Sequence, residues 1–486
     1  MPPVTTTIAR LADQAALAAR ALVEYGQHLL QPTVRLGITG LSRAGKTVFI
    51  TALVHGLLRG GRFPLFGAYA DGRIANVRLA PQPDDNVPRF DYENHIRALV
   101  DERRWPDSTR QISELRVIID YQSGSGAERT LTLDIVDYPG EWLLDLPLLG
   151  MSYERWSAES VRRSRETPRA ALAANWHRDL AATDPMAPTD ENRAIASAKL
   201  FTEYLRACRD DRFAMSVLPP GRFLMPGDLE GSPALTFAPL ELPEDAVRPP
   251  DSHWAMMARR YEAYKDYVVK PFFVEHFQRL DRQIVLVDAL AAFNAGHHAV
   301  RDLQAALTDI LDCFQIGRRT LLSTLFRPRA DRVLFAATKA DHLHHSNHDR
   351  LEAILQTMVQ GATERAKFSG AQIDVIALAA VRATQEAMVG QGVESLPSIL
   401  GRAAAGETSG GRVFDGETDV VVFPGDLPTD PGAIFENRAA AGNTDAALRF
   451  LRFRPPALEK TDAGGAALPH IRFDRALQFI IGDRLQ

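Results

Sequence analysis

Short apolar runs alternate with longer amphipathic stretches along most of this chain. Residues 34–38, 332–337 and 373–378 are strand-like runs, and Gln283-Ile284-Val285-Leu286-Val287 is continuous enough to be buried on both faces of a sheet. Residues 115–121 and 131–136 are two more strands. Gln122-Ser123-Gly124-Ser125-Gly126 joins them with the composition of a hairpin turn. Helical periodicity fills much of the remainder, at residues 8–30 (Ile8, Leu11, Ala15, Ala19 and Leu22 on one stripe), 190–209, 254–280, between the later strands, and 474–481. Alternating strand and helix predicts an α/β fold: a mixed sheet, mainly parallel with an antiparallel edge hairpin, flanked by helices.

Punctuation residues divide the chain further. Residues 61–108 are rich in Gly, Pro, Asp and Asn and read as a long connection with one short helix near 91–103. Residues 219–250 form a Pro/Gly-rich interval inside a mostly helical stretch. Beyond about residue 385, Gly, Ala and Pro dominate, with one strand expected at 419–423. The expected organisation is an N-terminal helix (1–30), the first part of the core (31–150), a large mostly α-helical insertion (151–280), the second part of the core (281–400) and a C-terminal extension packed on it (401–486). The apolar stripe of the first helix fits either the core or a partner or membrane surface.

Chemistry enters at Gly40-Leu41-Ser42-Arg43-Ala44-Gly45-Lys46-Thr47, set between the strand at 34–38 and the apolar helix that opens at Val48. Glycines there let successive N–H groups point at phosphate oxygens, aided by the positive end of the helix. Gly40, Ser42, Arg43, Ala44, Gly45 and Val48 would surround the phosphates. Lys46 would reach the outer two, and Thr47 would place its hydroxyl on Mg²⁺. The octapeptide pattern arises by chance in roughly 2% of chains this long.

Asp137-Tyr138-Pro139-Gly140-Glu141 follows the second hairpin strand, where a carboxylate holding Mg²⁺ and a glycine N–H meeting the γ-phosphate are expected. Thr338-Lys339-Ala340-Asp341 follows the strand at 332–337. Guanine presents two N–H donors there and adenine offers no such pair, so an ionised Asp341 accepting both hydrogen bonds would favour guanine by roughly 10²- to 10⁴-fold. The Lys339 stem would cover one face of the base, and Ala380 and Val381 would bring a backbone N–H near the guanine O6. Thr109, with Ser108 as its competitor, is placed to close over the metal. Arg43 and Arg110 are candidates for further cationic contacts, with a solvated arginine as the alternative.

Composition changes little in this picture. A formal charge of −5 gives no bulk attraction for nucleic acid, and Cys208 and Cys313 stand far apart, without a zinc or disulfide pattern. The expected setting is a reducing cytoplasm. The first residues lack the pattern of a secretion signal, and no run reaches the ~18 apolar residues of a membrane span.

These motifs, with Asp281 to Asp288, Asp137 to Pro147, Phe335 to His342 and the terminal Pro469-His470-Ile471-Arg472, resemble the YcjX-like bacterial family of stress-associated P-loop GTPases. The resemblance covers the chain from about residue 30. It implies a Ras-like sheet, GTP/GDP held by Lys46, Thr47, Asp137 and Asp341 with Mg²⁺, and slow hydrolysis. It also implies a stress-related role beside an inner-membrane partner, peripheral to that membrane. Two positions depart from small GTPases: Glu141 stands where glutamine commonly orients the attacking water, and Thr338 stands where asparagine is usual. An ATP-using enzyme and a non-hydrolysing GTP-binding scaffold, placed at the membrane surface, remain open alternatives.

Overall fold

The apolar runs pair side by side because each lacks enough polar positions to face water. In order along the chain the strands are β1 (Thr33–Gly40), β2 (Ile74–Ala80), β3 (Ser113–Gln122), β4 (Glu128–Asp137), β5 (Arg282–Val287), β6 (Arg332–Ala337) and β7 (Gln372–Ala377). They form one seven-stranded sheet in the order β2-β3-β4-β1-β5-β6-β7. The structure, a computed structural model, describes residues 32–41, 43–109, 111–241, 249–313, 330–367, 371–390, 395–409, 411–436, 448, 450–458 and 467–486. The expected helix at 8–30, Ser42 and Arg110 lie outside these residues.

β1 is central and runs parallel to both neighbours, Leu36 facing Ile135 on β4 and Arg282 on β5. β6 and β7 continue in parallel, while β3 is antiparallel to β4 through the expected hairpin. This is the Ras-like P-loop arrangement. Residues 61–108, expected as a connection with one short helix, also supply β2, which pairs antiparallel with β3 and extends the hairpin outward. Its strand Ile-Ala-Asn-Val-Arg-Leu-Ala is half exposed, so polar residues interrupt the apolar signal.

Helices cover both faces, which explains the continuous apolar runs. On one face α1 (Lys46–Arg59) and the closing helix (Phe473–Ile481) bury Phe49, Ile50, Leu53, Leu477 and Ile480 against Leu36, Ile38 and Ile284. On the other, Val136, Val285 and Phe335 continue without a break into an aromatic cluster of Trp156, Trp176, Phe201, Phe237, Tyr261 and Tyr264. That cluster belongs to the helices between the hairpin and β5, chiefly Tyr153–Ser164, Glu191–Arg209 and His253–Tyr264. Trp156 stacks on Tyr261 with centroids 5.0 Å apart. Asp190 and Ser252 start the last two helices by accepting the N–H groups of Arg193 and Ala255.

A second, small sheet also departs from the reading beyond residue 385, which expected one strand there. Thr384–Val389, Leu396–Arg402 and Asp419–Val422 pair antiparallel in three strands. A β-bridge ties Ala403 to Phe453, and Ala383 and Thr384 hydrogen-bond to Asp341, so this unit sits beside the turn after β6.

Candidate nucleotide-binding site

All the parallel strands of the large sheet end at the same edge, and the chemistry collects there. A cleft of about 340 Å³ runs along that edge from the turn after β1 to the turns after β6 and β7. Gly45 caps α1 with φ at +79°, and a Cβ there would meet open space, so the backbone conformation is what calls for glycine. Arg43 is also left-handed, at φ +63°, and the Ala44 N–H closes the turn on Leu41 O at 3.1 Å. Behind this turn the free N–H groups of a 14-residue helix face the cleft.

At this end the expected phosphate and metal residues converge. The Lys46 ammonium pairs with Asp137 Oδ1, and both side chains are buried. Thr109 donates to Asp137 Oδ2 at 2.7 Å, and its Oγ1 lies 3.3 Å from Thr47 Oγ1. It is thus Thr109 whose hydroxyl joins Asp137 and Thr47, while Ser108 lies along the cleft wall. Two hydroxyls and a carboxylate make an all-oxygen donor set, which fits Mg²⁺.

Gly140 approaches the turn more closely than any side chain would permit. A Cβ there would lie 1.9 Å from Gly40 O and 2.5 Å from its carbonyl carbon. Glu141 follows, largely buried, with Oε1 3.3 Å from Arg209 Nη1. The 3₁₀ segment Gly140–Gly150 continues into the core through Trp142, Leu143 and Leu146. Inside it Asp145 is fully enclosed, accepting from Tyr264 Oη at 2.6 Å and from Gly221 N at 2.7 Å. Burial pushes its carboxyl up to about 6, against the pull of these donors and of Arg222.

At the other end of the cleft Asp341 is buried, and its Oδ2 accepts the Ala383 N–H at 2.8 Å, while its backbone oxygen accepts the Thr384 hydroxyl. Lys339, at φ +60°, turns its ammonium onto Asp288 Oδ2. Ala379 exchanges two backbone hydrogen bonds with Ile471, and Ala380 and Val381 line the cleft beyond it. Thr338 donates its N–H to Val287 O at 2.9 Å, binding this loop to the end of β5. His342 sits edge-on to Phe453 with centroids 5.2 Å apart, and burial lowers its pKa.

The model of the YcjX-like family, DUF463, matches residues 34–485. The chain belongs to the YcjX-like family. A protein of Escherichia coli (strain K12) named Ras-like GTPase YcjX is 39% identical over 485 residues, which cover 96% of this chain and 98% of that one. One of Shewanella oneidensis (strain MR-1), with the same name, is 35% identical over 496 residues at the same coverage of both chains.

In this YcjX-like protein the cleft also contains groups that sequence reasoning did not assign. Asp288 lines an adjoining cavity and reaches the cleft through Lys339; it repeats the pattern of Asp137, an acid directly after a buried strand, and was findable on that ground. Trp105 donates to Phe453 O at 2.7 Å, and together they wall the cleft near the base loop. Arg209 and Arg452 join Arg43 near the phosphate turn, and no local pattern marks them. Among the described residues, each of the five lysines and arginines lining the cleft has a carboxylate partner: Lys46 with Asp137, Arg43 with Asp211, Arg209 with Glu141, Lys339 with Asp288 and Arg452 with Glu407. Burial lowers the Arg43 pKa, and the positive charges of Arg209 and Arg452 lower it further.

Proposed function

We propose that this chain binds GTP with Mg²⁺, hydrolyses it slowly to GDP, and acts as a conformational switch in a bacterial stress-related process. The observation that carries this reading is the arrangement of one cleft. Lys46, Thr47, Thr109 and Asp137 meet at one end, and the buried acceptor Asp341 stands at the other. The names of the two relatives favour GTP over ATP.

In this reading the turn from Gly40 to Val48 cradles the phosphates through backbone N–H groups, and Lys46 exchanges Asp137 for phosphate oxygens. Thr47, Thr109 and Asp137 hold Mg²⁺, which when bound neutralises charge on the phosphates. Asp341 Oδ1 and the uncommitted lone pairs of Oδ2 accept the guanine N1–H and N2 amino group. Lys339 covers the base, and Ala380 or Val381 donates to O6. Gly140 brings a backbone N–H to the γ-phosphate, and Glu141 aligns the attacking water. Catalysis here is positioning and electrostatics rather than covalent chemistry.

The segments at 104–112 and 138–150 would transmit the nucleotide state, the second directly into the helical insertion through Asp145. Among the described residues no helix is long and apolar enough to cross a membrane. We place the protein in the cytoplasm, in reach of a protein partner at the inner membrane. Competition of GTP, ATP and GDP against a fluorescent guanine nucleotide, with Lys46→Ala as control, tests the reading. GTP and GDP are expected to displace the probe and ATP to fail; equal displacement by ATP would overturn it.

A further inference from the structure

The helix Glu191–Arg209 ends at the phosphate end of the cleft, and its last residue points a guanidinium there. Its position is well fixed. Phe201, Tyr204, Leu205 and Cys208 are buried in the aromatic cluster, and Tyr204 stacks on Trp176 with centroids 5.2 Å apart. Among the described residues Glu141 is the one ion-pair partner of Arg209, through a single long contact of 3.3 Å from Nη1. Arg43 and Arg452, by contrast, share Asp211, and Arg452 also holds Glu407 at 2.6 Å. Arg209 lines both the cleft and an adjoining cavity of about 230 Å³ floored by Leu144, Leu218 and Leu303, so its side chain has room to turn.

The pair also answers a chemical difficulty. A glutamate beside a γ-phosphoryl group adds negative charge where negative charge already accumulates, which by itself opposes hydrolysis. An arginine has five N–H donors in a planar fork, so it can hold one carboxylate oxygen and still present donors to phosphoryl oxygens. We infer that the helical insertion supplies Arg209 as a catalytic arginine in cis, which neutralises Glu141 and donates to the γ-phosphoryl oxygens during hydrolysis. This rests on the reading that the cleft binds GTP with its γ-phosphate near Lys46.

In the step, the water oxygen bonds to the γ-phosphorus, and the bond to the β–γ bridging oxygen breaks with its electron pair remaining on GDP. One water proton stays on the inorganic phosphate, and the other leaves to solvent through the Glu141 carboxylate. Arg209 transfers no proton. Its contribution grows as charge shifts toward the bridging and peripheral oxygens, so it acts on the rate more than on binding.

The test is single-turnover hydrolysis of saturating GTP by the full chain, with GDP affinity measured in parallel. Arg209→Ala is expected to lower the rate constant by roughly 10³-fold, with GDP affinity within about 3-fold of the parent. Arg209→Lys, which keeps the charge and the helix end, is expected to recover little of the rate, because the planar fork is lost. In the Glu141→Gln background the Arg209→Ala penalty should shrink, since no glutamate charge remains to neutralise. Hydrolysis by both Arg209 variants within about 3-fold of a GTP-hydrolysing parent overturns the inference and leaves the guanine reading standing. Rate and GDP affinity falling together assigns Arg209 a structural role and also overturns it. A parent that does not bind GTP overturns both.

Discussion

Gly140→Ala is a change whose consequence can be worked from distances alone. The added methyl would sit 1.9 Å from Gly40 O, and Cβ atoms do not settle closer than 3.0 Å to a neighbour, so the two backbones must part by at least about 1.1 Å (3.0 − 1.9). Neither obstructing atom can rotate away, because both belong to the main chain of the phosphate turn. Separation pulls on Trp142 and Leu143, which are fixed in the core on the far side, and overpacking of this kind costs about 1–3 kcal/mol. A displacement of about 1 Å between the γ-phosphate cradle and the water-aligning segment costs on the order of 10²-fold in turnover. Gly150→Ala is the control at the other end of the same segment: its Cβ meets nothing within 4 Å and its φ is not positive. Urea unfolding and single-turnover GTP hydrolysis of the two variants decide the matter. Gly140→Ala is expected to lose both stability and rate, while Gly150→Ala stays within about 0.5 kcal/mol of the parent. If the two variants unfold and turn over alike, the close-approach argument is wrong.

Further outcomes follow from the same contacts. Asp145 has its carboxyl raised to about 6, so the folded protein holds that proton more tightly than the unfolded chain, and its contribution is largest at acid pH and lost as pH rises through about 6. The unfolding free energy of the parent minus that of Asp145→Asn should therefore fall by about 2 kcal/mol between about pH 4.5 and about pH 7.5; a flat or rising difference would refute the assignment. Thr109→Ala removes the hydroxyl shared by Asp137 and Thr47, and should reduce Mg²⁺-dependent hydrolysis by roughly 10²-fold, whereas Ser108→Ala should stay near the parent rate. The reverse ranking, measured across a Mg²⁺ titration, would return the metal role to Ser108.

The strands of the large sheet that were buried on both faces were legible, because a parallel strand between two helical layers has no polar positions to disguise it. β2 escaped because it is an edge strand in which Asn76 and Arg78 face solvent beside Asp120. Of the small sheet, the Val-rich strand at Asp419–Val422 was legible and the other two escaped, because Gly, Ala and Pro weaken their alternation and their order comes from pairing rather than from propensity. At the cleft, the positions of Lys46, Asp137 and Asp341 were legible because they lie at or just beyond the ends of β1, β4 and β6, where the apolar runs give way to polar turns. Arg209 meets Glu141 across 68 residues of sequence and Phe453 meets Trp105 across 348, and nothing local records such meetings. They exist because the helices and the C-terminal segment fold back onto the sheet edge.

The most direct test of the account concerns the base. In Asp341→Asn the amide oxygen can keep the Ala383 N–H while its NH₂ group faces the purine, turning an acceptor into a donor. Calorimetry with GTP, ATP and XTP should show the parent preferring GTP over ATP by roughly 10²-fold or more, and the variant losing that preference while gaining affinity for XTP, whose C2 carbonyl accepts where guanine donates. A variant that still prefers GTP over ATP as strongly as the parent would contradict the assignment of Asp341 as the reader of guanine.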